Sequence, residues 1–140
     1  MPVRFFSEDI RFQLRPVKLR KNWLLDVIKQ SDRICGNVNY IFCSDIYLLE
    51  INKKYLQHDY YTDIITFDLS EDPKVIDAEI YISMDRVREN SRTHSIKLQD
   101  EIDRILIHGL LHLLGFKDST ETEKEIMRKE ENRLLDNRNF

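Results

Sequence analysis

Glycine, proline and cysteine are all scarce in this chain. Its 140 residues include three glycines, three prolines and two cysteines, Cys35 and Cys43. So little glycine and proline argues against disorder and against a loop-rich β-sandwich. The cysteines are too few and too widely spaced for a zinc ribbon, and a lone buried disulfide is not expected inside cells.

Long hydrophobic runs are also lacking. No apolar stretch approaches the roughly 18 residues that a transmembrane helix needs, and the N-terminal sequence is charged where a signal peptide would be apolar. With 41% hydrophobic and 34% charged residues, the composition is typical of a well-solvated globular protein. We therefore expect a single cytoplasmic domain over residues 1–140, with no membrane association.

The charge is unevenly distributed along the chain. Residues 1–30 carry seven Lys or Arg and three Asp or Glu, a charge of +4, whereas residues 31–140 carry fifteen and twenty-two, a charge of −7. A basic N-terminal segment on an acidic body could bind a polyanion on one face. Ordinary solvated charge explains the same asymmetry equally well, so charge alone does not indicate nucleic acid.

One stretch is apolar on every side and contains two histidines. From Ile105 to Leu114 the sequence reads ILIHGLLHLL, and its flanks extend it to about 16 residues, which favours a buried helix over a strand. His108 and His112 then lie on one side of the helix, one turn apart. Gly115 supplies the left-handed residue that ends a helix, so Asp118 can return past both rings.

Two imidazoles and a carboxylate at this spacing predict a metal site with three protein ligands and one open position. The alternative for His108 and His112 is a hydrogen-bonded structural pair, since a buried imidazole needs partners. The alternative for Asp118 is a polar residue at the start of the next helix, near suitable caps. Zn²⁺ is the default ion for such ligands, and hydrolysis is the leading reaction class.

The residue after the first histidine argues against a protease. Metzincin-type proteases share this histidine spacing, but they need Glu directly after the first histidine as general base. Here that residue is Gly109, which has no proton to move. Gly109 either leaves open space beside the metal or lets a neighbouring backbone pack close.

The rest of the chain interleaves strand and helix patterns. Strands are predicted at Val3–Phe6, Ile10–Leu14, Val38–Cys43, Asp63–Leu69 and Ala78–Ser83. Helices are predicted from Pro16 to near Ser31, from Ser44 to Tyr55, from Met84 to Thr93, from about Leu98 through the two histidines, and from Thr120 to about Asn137. These elements predict an α+β domain, with α/β as the alternative, in which a small mixed sheet of about four strands packs with helices.

Three sequence blocks resemble a known family. The segment from His108 to Phe116, HGLLHLLGF, is similar to the signature of the YbeY family of metal-dependent endoribonucleases, which mature bacterial ribosomal RNA. Asn52 and Tyr55, and the block from Thr62 to Phe67, resemble further family motifs. The likeness covers roughly residues 35 to 135. It implies an α+β fold, a bound zinc ion and cleavage of single-stranded RNA at the 16S 3′ end, with the ribosome and ribosomal RNA as partners and a part in ribosome quality control.

The chain departs from this family pattern in three places. The family's third histidine is Asp118 here, preceded by Lys117 instead of Asp. The arginine that usually follows the matched tyrosine is Leu56, and the proline after the matched phenylalanine is Asp68. Because the family arginine is associated with catalysis or RNA binding, Leu56 removes a phosphate-binding cation. Lys117 is our candidate substitute, with a solvated lysine as the alternative.

The predicted site therefore has two parts. His108, His112 and Asp118 are expected to bind one zinc ion, and Lys117 and Thr66 are expected to act as catalytic residues on the phosphate approach. The RNA backbone could be held by the basic N-terminal segment or by three arginines of one predicted helix: Arg86, Arg88 and Arg92.

Two rival functions are compatible with the same residues. A metallohydrolase acting on peptides or small phosphoesters would turn over such substrates and would not bind ribosomal RNA. A ribosome-assembly factor that binds RNA around a structural zinc would hold metal without cleavage dependent on Asp118. The sequence identifies no general base, and His58 and His94, in predicted loops, are taken as surface residues.

Overall fold

The computed structural model describes residues 2–140 and contains four strands and five helices over that range. In chain order they are β1 (Val3–Ser7), α1 (Val17–Gln30), β2 (Ile34–Cys43), α2 (Asp45–Leu56), β3 (Ile64–Asp68), β4 (Val75–Ser83), α3 (Met84–Thr93), α4 (Leu98–Leu113) and α5 (Glu121–Asp136). All five predicted helices are confirmed, as are four of the five predicted strands.

The predicted strand at Ile10–Leu14 is wrong. This segment runs without strand pairing, after the chain reverses at Asp9, whose φ is 35°. Its apolar side chains are nevertheless inside: Leu14 is buried and the Phe12 ring meets the Phe42 ring edge-on. The β-prone composition thus indicated burial against the core, which these residues reach without strand pairing.

The four strands form one mixed sheet in the order β1-β2-β4-β3. β1 and β2 are parallel, β2 and β4 are parallel, and β3 is antiparallel to β4. Tyr40 of β2 pairs with Ile80 of β4, which in turn pairs with Thr66 of β3. The sheet confirms the expected α+β architecture and puts β3 at an edge.

Helix α4 packs between the sheet and α5. Leu106 and Leu110 are fully buried, and the Tyr40 hydroxyl donates a hydrogen bond to the Leu106 carbonyl oxygen at 2.9 Å. The opposite face of the sheet is covered by α2, whose Leu48 is buried with Cys43 and Ile65. Because side chains alternate between the two faces along each strand, the same sheet packs against α4 on one face and against α2 on the other.

A buried ion network fixes the first half of α4. Asp103 is fully buried, and its carboxylate accepts from Arg20 Nε at 2.6 Å and from Arg138 Nη1 at 2.5 Å. The network ties α1 and the C-terminal residues to α4, and so restrains the helix that carries both histidines. Within residues 2–140, no helix is both long and apolar enough to cross a bilayer.

Candidate metal centre

The two histidines face each other on α4. The rings of His108 and His112 have centroids 4.7 Å apart and are nearly perpendicular, and their Nε2 atoms are 3.1 Å apart. Both residues are partly exposed, while most of the positions around them on α4 are buried. The helix therefore carries the rings to the edge of the core, where they remain accessible to solvent.

A helix-ending motif returns the chain to these rings. Gly115 has a φ of 101°, the amide of Phe116 donates to the Leu111 carbonyl oxygen, and the amide of Gly115 donates to that of His112. This pair of hydrogen bonds is the Schellman motif. Asp118 follows, and its Oδ2 atom lies 3.3 Å from Nε2 of His108 and 3.5 Å from Nε2 of His112.

The three ligand atoms have the spacing of a tetrahedral metal site. Those of His108, His112 and Asp118 are 3.1, 3.3 and 3.5 Å apart. A tetrahedral zinc ion with bonds of about 2.0–2.1 Å holds its ligand atoms about 3.3 Å apart. The residues present thus fit a divalent ion, and their role as its ligands stays a prediction. Asp118 does not cap the next helix, because that cap is the Thr120 side chain.

Glu131 is the residue of this centre that sequence reasoning missed. It lies on α5, is 4% exposed, and places Oε2 2.7 Å from Nδ1 of His108. Its other oxygen accepts from Arg104 Nη1 at 2.8 Å. The sequence contained one signal for this residue. Glu131 lies four residues after Met127, on the buried face of a helix that is otherwise highly charged.

The contact with Glu131 determines which nitrogen of His108 is free. An ionised carboxylate can only accept, so the contact with Glu131 places a proton on Nδ1 of His108. In the neutral ring Nε2, which faces Asp118 and His112, is then the nitrogen that can bind a metal. Burial disfavours the charged ring, but the hydrogen bond to Glu131 and the nearby carboxylates raise the pKa of His108. Burial likewise disfavours the carboxylate, and hydrogen bonds from His108 and Arg104 outweigh it and lower the pKa of Glu131.

Gly109 lets the sheet approach α4 closely. A Cβ atom at this position would lie 2.9 Å from Ile64 Cδ1, 3.2 Å from Ile80 Cγ2 and 3.4 Å from Thr66 Oγ1. The position is filled and not open, and the close neighbours are side chains of the sheet instead of the predicted backbone. The approach brings Thr66 of β3 next to the helix turn between the two histidines.

A groove extends from His112 along the edge strand β3, and we call it the β3 groove. It is lined by Asn52, Leu56, His58, Tyr60, Thr62, Ile64, Ile65, Thr66, Asp68, His112 and Leu113. Thr66 thus lines the same groove as His112, and its catalytic role stays a prediction. Leu56, which stands where the family pattern has arginine, lines the same groove.

A second cleft lies on the other side of His108. Asp63 and Glu101 line it together with His108 and Asp118. Burial raises the pKa of Asp63, although the charge of His108 partly opposes the shift. Burial also raises the pKa of Glu101. The charge of this cleft is mixed, because Arg104, Lys124 and Arg128 line it as well.

The predicted cations lie further away. Lys117 lines a separate shallow cleft with Glu123 and Ile126, not either of the two clefts beside the histidines. Arg86 pairs with Asp45, with Nε 3.0 Å from Oδ1, and its guanidinium lies 5.1 Å from the centre of the Tyr61 ring. The phosphate-binding roles of Lys117 and the arginines stay predictions.

Comparison with known proteins identifies the family. The protein-family model described as "Endoribonuclease YbeY" matches residues 7–139 of this chain. "Endoribonuclease YbeY" of Cytophaga hutchinsonii is 48% identical over 138 residues, covering 99% of this chain and 96% of that one. Its counterpart in Amoebophilus asiaticus is also 48% identical, covering 92% and 88%.

A solved structure shares the fold. The solution structure of TM1509 from Thermotoga maritima superposes with a TM-score of 0.66 at 27% identity, covering 96% of this chain and 87% of that one. The resemblance seen in the histidine signature is thereby extended to almost the whole length, and the chain belongs to the endoribonuclease YbeY family.

Proposed function

We propose that this chain is a zinc-dependent endoribonuclease that cleaves single-stranded ribosomal RNA, in 16S 3′ end maturation and ribosome quality control in the cytoplasm. Family membership supports RNA cleavage, since the relatives are named as endoribonucleases. The single observation that carries the metal dependence is the convergence of His108, His112 and Asp118 at tetrahedral spacing.

Each residue of the centre has a role in this proposal. A zinc ion held there would polarise a phosphate oxygen and supply an activated water. His108 is oriented for binding by Glu131, which fixes its proton on Nδ1. Asp118 in place of a third imidazole contributes a negative charge, so the ion and its ligands together carry +1 instead of +2. Thr66 borders the phosphate approach from β3, and Lys117 is the cation that we assign to the phosphate approach in place of the family arginine.

Metal content and cleavage, measured on the same samples, test this proposal. The protein is incubated with single-stranded ribosomal RNA and with a duplex of the same sequence. The variant is His112→Ala, and the matched control is His94→Ala, an exposed histidine at the end of α3. We expect the wild type and the control to hold one zinc ion per chain and to cleave the single strand, and His112→Ala to lose both with an unchanged circular dichroism spectrum.

Full zinc content in His112→Ala would refute the ligand assignment. A specific observation favours one second candidate, an RNA-binding assembly factor with structural zinc: Leu56, with no charge, lines the groove beside His112. That candidate predicts that Asp118→Asn does not change any RNA cleavage observed. Turnover of peptides or small phosphoesters without RNA binding would instead indicate a different metallohydrolase.

A further inference from the structure

The β3 groove has the chemistry of a nucleobase site. We infer that it binds one unstacked base of single-stranded RNA, with the Tyr60 ring as the stacking surface, next to the phosphate that the metal centre would cleave. This inference rests on the proposed function, because it concerns how the RNA substrate is held. It adds a stacking residue, Tyr60, to the predicted metal ligands and catalytic residues.

Tyr60 is presented as an open aromatic surface. Its side chain is 56% exposed, and its ring stacks on the His58 imidazole with centroids 5.1 Å apart and planes 19° from parallel. The Tyr60 hydroxyl also hydrogen-bonds His58 Nδ1 at 2.9 Å. Proteins that hold single-stranded RNA stack unpaired bases on such rings, because every base has a π face.

A buried side chain fixes the loop that carries this ring. Asn52 is 1% exposed, and its Nδ2 atom donates to the Tyr60 carbonyl oxygen at 2.9 Å. The Asn52 carbonyl oxygen accepts from the His58 amide at 3.1 Å, across a left-handed turn at Gln57 with φ 57°. Both aromatic residues are thus tied to α2, so less ordering entropy is lost when a base binds.

The lining favours a base over a phosphate. None of the residues that line the groove in the described chain is Lys or Arg, and Leu56 contributes an apolar wall. Asp68 would repel a phosphate, whereas its carboxylate can accept from the amino group of a base. The Thr66 hydroxyl can donate or accept at a base edge. The Thr62 hydroxyl donates to the Ile64 carbonyl oxygen at 3.4 Å and can accept from a base.

The position of the groove connects base binding to cleavage. His112 lines the groove and is also a candidate metal ligand, so a base held against Tyr60 lies beside the centre. A base in a duplex is paired and stacked and cannot enter the groove without being extruded. The subsite therefore gives a physical reason for a preference for single strands.

Fluorescence anisotropy of the metal-loaded protein tests the inference. The probe is a fluorescein-labelled single-stranded oligonucleotide whose 2′-O-methyl phosphorothioate backbone resists cleavage. We expect Tyr60→Leu to weaken binding about tenfold, the value of one base–aromatic stack, and Tyr60→Trp to retain it. The matched control is Tyr61→Leu: Tyr61 is 49% exposed, lies under the Arg86 guanidinium and is not among the lining residues, so its change should stay within about twofold.

A second measurement removes the base from the RNA. An abasic site is placed at each position of the oligonucleotide in turn. At one position it should weaken binding by the wild type to the affinity that Tyr60→Leu has for the intact oligonucleotide. The same abasic site should not weaken binding by Tyr60→Leu any further. The inference is overturned if Tyr60→Leu binds as tightly as wild type, or if no abasic position matters. If the leucine variant does not fold, the abasic series on the wild type decides.

Zinc content and cleavage, recorded in parallel, separate this inference from the proposed function. Wild-type cleavage with unchanged binding by Tyr60→Leu would leave the endoribonuclease intact and remove the base site. Binding that depends on Tyr60 in a wild type that never cleaves RNA would keep the base site and remove the proposed activity.

Discussion

Glu131 of α5 places its Oε2 atom 2.7 Å from Nδ1 of His108 on α4. The distance is that of a charge-assisted hydrogen bond, and Arg104 holds the other carboxylate oxygen at 2.8 Å. The last helix of the chain therefore orients a candidate ligand of the helix before it. The metal centre extends beyond the His108, His112 and Asp118 side chains to a supporting pair.

The first prediction concerns this supporting carboxylate. In Glu131→Gln we expect zinc affinity to fall about 10- to 100-fold, because an uncharged amide holds the His108 ring less firmly and makes its Nε2 a weaker ligand. Competition with a chromophoric chelator measures the affinity.

Glu130→Gln is the matched control for that change. Glu130 is the adjacent acid on α5 and pairs with Arg133 instead of a histidine. Its zinc affinity should equal that of the wild type. Equal affinities for all three proteins would show that Glu131 does not support the metal centre.

The second prediction concerns the pH dependence of metal-free protein. A histidine with a raised folded pKa stabilises the fold below its ordinary value of 6.5 and loses that contribution as the pH rises through the folded value. A glutamate with a lowered folded pKa stabilises the fold above its ordinary 4.5 and loses its contribution as the pH falls through the folded value. The His108–Glu131 pair should thus stabilise most between these two values.

Urea unfolding of chelator-treated wild type and Glu131→Gln over a pH series measures this contribution. The difference in free energy of unfolding between the two proteins should be largest between about pH 4.5 and 6.5 and shrink on either side. A difference that grows steadily above neutral pH would mean that the pair does not titrate as its contacts predict.

The third prediction concerns the apolar wall of the β3 groove. Leu56→Arg should add one contact with an RNA phosphate. In a plot of the logarithm of the RNA association constant against the logarithm of the salt concentration, the slope should then become more negative by about 0.7. Leu56→Gln, of similar reach but uncharged, should leave the slope unchanged. Anisotropy titrations at several salt concentrations measure it, and identical slopes for both variants would place RNA phosphates out of reach of this position.

The fourth prediction concerns the close approach of β3 to α4. A valine at position 109 meets Ile64 and Ile80, where even a Cβ atom would lie 2.9 and 3.2 Å away. We expect Gly109→Val to lower the free energy of unfolding by about 1–3 kcal/mol. Gly109→Ala should be more stable than Gly109→Val, because its side chain is smaller and alanine favours a helix interior by about 1 kcal/mol over glycine. Chemical denaturation measures both, and a Gly109→Val protein as stable as wild type would contradict the tight packing.

Local chemistry was readable from the sequence. The helical period places His108 and His112 on one side, and Gly115 ends the helix, because both depend on residues within a few positions of each other. The same holds for the five helices and for four of the strands, whose patterns are local. The histidine signature was also distinctive enough to indicate the family.

Long-range placement was decided only by the tertiary structure. Nothing in the sequence pairs Glu131 with His108, or brings His58 and Tyr60 to the groove that His112 lines, because these meetings depend on how α5 and the loop after α2 pack. The segment Ile10–Leu14 shows the same limit, since apolar β-prone residues indicate burial but do not determine whether a segment pairs with a strand. Periodicity therefore determined the elements and the metal-ligand spacing, while packing of distant segments determined what supports the centre and what lies beside it.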